Sequence, residues 1–162
     1  AGAGPGGRGR RRARAGGVPD AARPLLERSP YAYISPLRAD GRESTCHGEV
    51  WFAWLDGAVV INTRPAAWKA RALRERGLDR ARIWVGDHGR CKSGLLGGGR
   101  TEAFRAAPRF DARARFETDP AVLERLLARF EEKYAGAFDR WRDEMRDGFH
   151  DGRRVLIRYE PG

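Results

Sequence analysis

Residues 49–63 have the sequence Glu-Val-Trp-Phe-Ala-Trp-Leu-Asp-Gly-Ala-Val-Val-Ile-Asn-Thr. Residues of high β-propensity lie on both sides of an Asp-Gly pair, which is typical of a two-residue hairpin turn. A second Asp-Gly pair, Asp40-Gly41, separates this stretch from an earlier β-type run. Two consecutive hairpins predict a three-stranded antiparallel meander with strands at about 31–38, 44–55 and 58–63.

The rest of the chain predicts further strands and several helices around this meander. We expect strands at 81–85, within 101–116 and at 153–159, and a glycine-rich loop at 86–100. We expect helices at 18–28, 66–76, 120–134 and 137–146, with Asp119 capping the third and Gly77 ending the second. This order is not a βαβ repeat. It favours a mainly β fold, an antiparallel split β-barrel of six to seven strands with flanking helices, because closure removes exposed strand edges.

Charge is concentrated at the start of the chain. The 162 residues carry a net charge of +10, and five arginines lie in residues 1–17, which contain no acidic residue. We expect residues 1–17 to be a disordered Arg/Gly-rich tail and residues 18–162 to form one domain. The alternative is that the tail contacts nucleic acid, but outside it the charges of both signs are interleaved, so we expect no nucleic-acid partner.

Neither a membrane span nor a secretory signal is indicated by the sequence. Apolar runs are far shorter than the roughly 18 to 20 residues of a transmembrane helix, and the arginine run is not followed by an apolar segment. We therefore expect a cytoplasmic protein without a membrane partner, whose two cysteines, Cys46 and Cys91, are reduced thiols. The pairs Cys46-His47 and His88/Cys91 offer zinc-ligand types, but neighbouring strand residues point to opposite faces, so we expect no metal site.

The junction between the strand at 58–63 and the following helix is the most informative candidate site. A strand that ends in Asn62 and Thr63 and leads directly into a helix leaves backbone N–H groups that attract anions. Arg64 and Lys69 add positive charge beside them. These residues predict a phosphate-binding site.

The order of hairpins, the segment Glu49–Trp54, the strand ending at Thr63 and the helix with Lys69 resembles the pyridoxamine 5′-phosphate oxidase and F420-dependent reductase superfamily. The resemblance covers roughly residues 28–160. It implies that Thr63 and Lys69 hold the phosphate of FMN or F420, and that the strand containing Glu49, Val50, Trp51 and Phe52 runs beside the cofactor ring.

The resemblance departs from the vitamin B6 oxidases in one motif. Ala67-Trp68-Lys69 stands where those enzymes have Ser-Arg-Lys, so we do not expect pyridoxamine oxidation. Arg64 could supply the missing charge, and we expect Trp68 to face the cofactor.

The resemblance also implies a function and an assembly. We expect an FMN- or F420-dependent oxidoreductase that transfers hydride to or from an unidentified small molecule, as a homodimer with the cofactor at the interface. No catalytic side chain can be picked out, since the cofactor carries the chemistry. The alternatives are a non-catalytic flavin-binding or nucleic-acid-binding regulator that uses the arginine-rich arm, and a haem-binding member of the superfamily with His47 or His88 as ligand.

Overall fold

A computed structural model describes residues 17–45, 47–88 and 102–162 of the chain. The predicted tail up to residue 16 lies outside the described residues, as do Cys46 and Cys91. Residues 89–101, with most of the predicted glycine-rich loop, lie outside them as well.

The described part of the chain forms one curled antiparallel sheet. Its neighbouring strands follow the order β2-β1-β5-β6-β7-β4-β3. The strands are β1 Ala32–Pro36, β2 Gly48–Val50, β3 Ala53–Leu55, β4 Ala58–Thr63, β5 Arg80–Val85, β6 Arg109–Glu117 and β7 Val155–Pro161. This seven-stranded half-barrel with helices around it confirms the predicted fold class.

Four α-helices and one 3-10 helix flank the sheet in the described residues. They are α1 Arg23–Arg28, α2 Trp68–Arg76, the 3-10 helix Ala103–Ala106, α3 Pro120–Lys133 and α4 Arg142–Asp151. The predicted signals at Asp119 and Gly77 are confirmed: the Asp119 carboxylate accepts the Ala121 N–H at 2.9 Å, and Gly77 ends α2 with φ +62°. None of the described helices is both long enough and apolar enough to cross a membrane.

Two helix boundaries were predicted wrongly. α1 begins at Arg23 rather than Val18, because residues 20–22 form turns and Pro24 occupies the first helical turn. α4 spans 142–151 rather than 137–146, because the chain passes from α3 through Gly136, at φ +85°, into a series of turns. Phe138 and Trp141 still pack on α3 and the sheet, but they do so from these turns.

The middle strand of the meander is broken, which corrects the prediction of one strand over 44–55. β2 pairs with β1, whereas β3 pairs with β4, and β2 and β3 lie at opposite ends of the sheet order. Trp51 and Phe52 link them, so the chain crosses here from one edge of the curled sheet to the other. The hairpin after β3 is as predicted, with Asp56 and Gly57 at φ 50° and 75°.

Apolar side chains fill both faces of the sheet near this crossing. The inner cluster includes Ile34, Phe52, Ile61 and Ile83, each 0% exposed. An outer cluster lies between β3, β4 and the helices α3 and α4, with Leu123, Leu126 and Phe130 of α3 at its centre. A packed interior leaves the outer side of the barrel as the place for a ligand.

The crossing is held by two consecutive residues at the end of α3. The Tyr134 hydroxyl accepts the Phe52 N–H at 3.2 Å and donates to the Pro30 carbonyl at 2.7 Å. The Lys133 ammonium donates to the Phe52 carbonyl at 2.6 Å and lies 3.7 Å from the centre of the Phe52 ring. Both backbone polar groups of Phe52 are therefore satisfied by side chains instead of a neighbouring strand.

The Lys133 amine predicts a specific pH dependence of stability. Burial, with a smaller contribution from the charge of Arg129, lowers the pKa of Lys133 from 10.5 to about 7. Between these values the unfolded chain binds a proton that the folded chain does not, so stability rises with pH. We expect wild type to gain stability relative to Lys133→Met from pH 7 to 9.5, with a slope below the limiting value of about 1.4 kcal/mol per pH unit because the side chain is partly exposed.

Urea unfolding at a series of pH values measures this difference, since other titrating groups cancel between the two proteins. Parallel stability curves would contradict the expectation. They would mean that the carbonyl and ring of Phe52 keep the ammonium charged in the folded state.

Candidate functional site

A cavity of about 680 Å³ opens on the outer side of the barrel, beside the crossing. This volume lies within the range of about 300–1,000 Å³ that is typical of small-molecule pockets. Its walls come from β2 and the crossing, the end of β4 with the start of α2, and the helices α3 and α4. The lining residues are Glu49, Val50, Trp51, Asn62, Thr63, Arg64, Ala66, Ala67, Phe130, Trp141, Met145 and Arg154.

Six of the nine residues predicted to bind a cofactor lie together in this cavity. They come from two segments that are far apart in the sheet order, β2 and the end of β4. The curvature of the sheet and the crossing bring the two segments together. The six are Glu49, Val50, Trp51, Asn62, Thr63 and Arg64.

The other three predicted residues do not line the cavity. Phe52 is fully buried in the inner core. Trp68 donates its indole N–H to the Ser44 hydroxyl at 3.3 Å. The Lys69 ammonium lies against β2, where a Cβ at position 48 would be only 2.4 Å from it, so Gly48 leaves room for this amine. Contact of these three residues with a cofactor stays a prediction.

Asn62 contributes an unsatisfied amide to the cavity wall. Within the described residues, its Oδ1 and Nδ2 are the buried side-chain polar atoms that have no hydrogen-bond partner. A buried polar group without a partner costs about 1–3 kcal/mol. The amide thus offers one acceptor and two donors to a ligand, at some expense to the stability of the free protein.

Positive charge lies on the wall formed by β4 and β7. Arg64 is exposed and has no ion-pair partner among the described residues. Arg154, just before β7, is only 8% exposed and donates to the Glu144 carboxylate at 3.3 and 2.5 Å. The hydrogen bonds from Arg154, together with the charges of Arg64 and Arg153, lower the pKa of Glu144.

Arg154 was missed by the sequence reasoning. In the sequence it is one arginine of a pair before a strand, far from the junction at residues 62–69. Only the pairing of β4 with β7 brings it to the cavity, since Thr63 lies opposite Val155.

Aromatic and apolar side chains form another part of the lining. The Trp51 ring stacks on Tyr134 at 4.3 Å and meets the edge of Phe130 at 6.0 Å. Trp141 and Met145 continue this wall at the start of α4. Flat rings and a polarizable thioether suit a planar aromatic ligand.

The histidines considered as ligands lie elsewhere. His47 contacts Glu43 at 3.4 Å and Arg105 at 3.2 Å, and its ring lies 5.3 Å from that of Phe104. Neither His47 nor His88 lines the cavity. In the part of the chain that the structure describes, no group of three or more His, Cys, Asp or Glu side chains could hold a metal ion.

Comparison with solved structures identifies the fold to which this chain is similar. The haem storage protein HutZ from Vibrio cholerae has a TM-score of 0.54 and 17% identity, over 86% of this chain and 87% of HutZ. A conserved hypothetical protein from Mycobacterium tuberculosis has a TM-score of 0.54 and 19% identity, over 90% of this chain and 82% of that protein. A protein assigned as a pyridoxamine 5′-phosphate oxidase in Listeria innocua has a TM-score of 0.51 and 13% identity, over 88% of this chain and 91% of that protein.

At these identities the likeness establishes the fold. It confirms, at that level, the predicted resemblance to the pyridoxamine 5′-phosphate oxidase-like split barrels. No family model and no curated protein sequence matches the chain.

The unsatisfied amide of Asn62 predicts a stability gain on its removal. Asn62→Leu is nearly isosteric and should raise the free energy of unfolding of the ligand-free protein by about 1–2 kcal/mol, because it removes two unpaired polar groups from a buried position. Urea unfolding of the two proteins measures this difference.

Ser35→Ala is the matched control. Ser35 is 0% exposed, and its hydroxyl lies within 3.4 Å of both the backbone oxygen and the hydroxyl of Ser44. Its removal should destabilise the protein by about 1 kcal/mol. If Asn62→Leu destabilises as much as this control does, the amide has a partner in the free protein and our interpretation is wrong.

Proposed function

We propose that this chain is an oxidoreductase that binds FMN or F420 in the cavity and transfers hydride between that cofactor and a small molecule. The observation that carries the proposal is that one cavity is lined both by a phosphate-type junction and by aromatic side chains. The unsatisfied amide of Asn62 belongs to this junction, so the residues present fit a planar, phosphate-bearing group.

Thr63, Arg64 and the start of α2 would hold the phosphate. No side chain caps α2, and its N-terminal end carries the partial positive charge of the helix dipole. Ala66 and Ala67 line the cavity at this end, where their small side chains let an anion approach the backbone. Arg64 adds a guanidinium with no competing ion pair among the described residues.

The ring would lie between the aromatic wall and β2. In the described sheet β2 is an edge strand that pairs with β1 on one side, so its other edge can present backbone N–H and C=O groups to the polar atoms of a ring. Glu49 contributes a carboxylate to the described lining, and the Tyr33 hydroxyl donates to it at 2.9 Å. This hydrogen bond fixes the carboxylate at the edge of the cavity.

A bound flavin or deazaflavin supplies the hydride chemistry, and the protein supplies binding, orientation and a dry surface. The residues of the apolar wall would exclude water from one face of the ring, while Asn62 and the cationic junction would fix its position. His47 and His88, the candidate haem ligands, lie outside the described lining of the cavity, which favours this ligand over a histidine-ligated haem.

The proposed assembly is a homodimer with the cofactor at the subunit interface. It rests on the resemblance and on the open mouth of the cavity, which leaves part of a bound ring for a second copy to cover. The alternative is a regulator, which would bind flavin without turnover or bind nucleic acid through the arginine-rich arm. The binding experiment distinguishes these possibilities from an enzyme.

Cofactor retention tests the proposal. The full chain, freed of bound ligands, is incubated separately with FMN, F420, haemin and a short DNA duplex, and then passed through gel filtration. We expect stoichiometric retention of FMN or F420 and a rise in the melting temperature, because a ligand that binds only the folded state stabilises it. Oxidation of the reduced cofactor by candidate acceptors then separates an enzyme from a binding protein.

The binding site is tested by paired variants. Thr63→Val with Arg64→Gln should weaken cofactor binding about tenfold or more, since a hydrogen bond to a charged group contributes about 1.5–3 kcal/mol. Arg38→Gln is the control, because it removes the same charge from an exposed arginine in the first hairpin turn. Retention of haemin or DNA alone, or equal losses in both variants, would reject the proposed site.

A further inference from the structure

Two arginines lie at the adjoining ends of β4 and β7, one just after β4 and the other just before β7. The antiparallel register pairs Asn62 with Leu156 and Thr63 with Val155, so the next positions along the two strands are Arg64 and Arg154. Both residues line the cavity. Like charges on neighbouring strands repel each other, and an anion bound by both would relieve that repulsion.

We propose that Arg64 and Arg154 together bind the phosphate-class anionic group of the cavity's ligand, with Arg154 as the second cation in place of Lys69. The identity of the ligand rests on the proposed function, whereas the anion site is inferred from the two arginines alone. Lys69, the residue that the resemblance assigned to this role, lies against Gly48 and outside the cavity lining.

The fold holds Arg154 in place before any ligand binds. Its backbone N–H donates to the Gly148 carbonyl at 2.9 Å. A Cβ at position 148 would be 2.5 Å from Arg154 Cγ, so the glycine in α4 lets the side chain pass across the helix. The guanidinium carbon lies 5.8 Å from the centre of the Trp141 ring, within the range of a cation–π contact. A preorganised donor loses little entropy when it binds an anion.

Arg154 also keeps one donor group for a ligand. Nε and Nη2 donate to Glu144, and Nη1 has no hydrogen-bond partner among the described residues. The planar guanidinium can therefore bind the carboxylate along one edge and present its remaining N–H groups to a phosphate oxygen.

The local charges leave an excess of positive charge at this point. Arg154 is hydrogen-bonded to the carboxylate of Glu144, and the nearby charge of Arg64 also lowers the pKa of that carboxyl. Arg153, the third nearby cation, is exposed and pairs with Asp151 at 2.8 Å. Glu144 thus competes with an incoming anion for Arg154, whose place is held by the Gly148 carbonyl and the Trp141 ring.

Phosphate titration of the full chain tests the proposal without any cofactor. Inorganic phosphate is added to the ligand-free protein, and its affinity is measured from the rise in melting temperature and by calorimetry. We expect Arg154→Gln and Arg64→Gln each to weaken phosphate binding about tenfold or more. Arg153→Gln, which removes the same charge one residue away, should bind phosphate as wild type does.

A second variant keeps the test decisive if Arg154→Gln does not fold, which circular dichroism would reveal. Glu144→Gln removes the competing charge and should tighten phosphate binding roughly threefold. Unchanged or weaker binding in Glu144→Gln would overturn the proposal. So would wild-type affinity in folded Arg154→Gln, or a larger loss in Lys69→Gln than in Arg154→Gln.

FMN and riboflavin separate this inference from the proposed function. If the anion is the phosphate of the cofactor, Arg154→Gln weakens FMN binding but leaves riboflavin binding as in wild type. Phosphate binding without retention of FMN or F420 would reject the cofactor and keep the arginine site. FMN binding of wild-type strength in Arg154→Gln would reject the arginine site and keep the cofactor.

Discussion

In the middle of the meander the chain changes from pairing with β1 to pairing with β4, and the rest of the structure depends on this change. β2 pairs with β1, β3 pairs with β4, and only Trp51 and Phe52 lie between them. The backbone groups of Phe52 have no strand beside them, and a buried unpaired N–H or C=O would cost several kcal/mol. Tyr134 and Lys133 of the α3 end satisfy both, so the helix that packs outside the barrel also fixes the closure of the barrel.

The closure also creates the cavity. It brings the free edge of β2 towards the end of β4, and it places Trp51 against α3. Among the described residues, the Asn62 amide then has no hydrogen-bond partner and the Arg64 side chain has no ion-pair partner, although aromatic side chains line the same cavity. Folding alone gives no reason to keep a buried, unsatisfied amide there, because an apolar residue would stabilise the free protein more. Residues that lower the stability of the free protein in this way are expected at functional sites.

The sequence predicted the features that depend on neighbouring residues. The Asp-Gly turns, β4 at 58–63 and the caps at Asp119 and Gly77 follow from local backbone preferences, and the structure confirms them. The break at Trp51 could not be predicted, since the residues on both sides of it have the same β-propensity and only the pairing distinguishes them. Arg154 was missed for the same reason: its place at the cavity depends on the register of two strands that are about 90 residues apart. The junction and the resemblance together predicted six residues that line one cavity, whereas the direction of the Trp68 and Lys69 side chains depends on where α2 begins.

A crystal structure of the protein with FMN bound tests the central claim most directly. The account predicts that the phosphate lies between Thr63, Arg64 and Arg154 at hydrogen-bond distances, and that the ring lies against the wall formed by Trp51 and Trp141 with the Asn62 amide bonded to the ligand. A flavin bound elsewhere, or a cavity that remains free of ligand while Asn62 bonds to the protein, would contradict it.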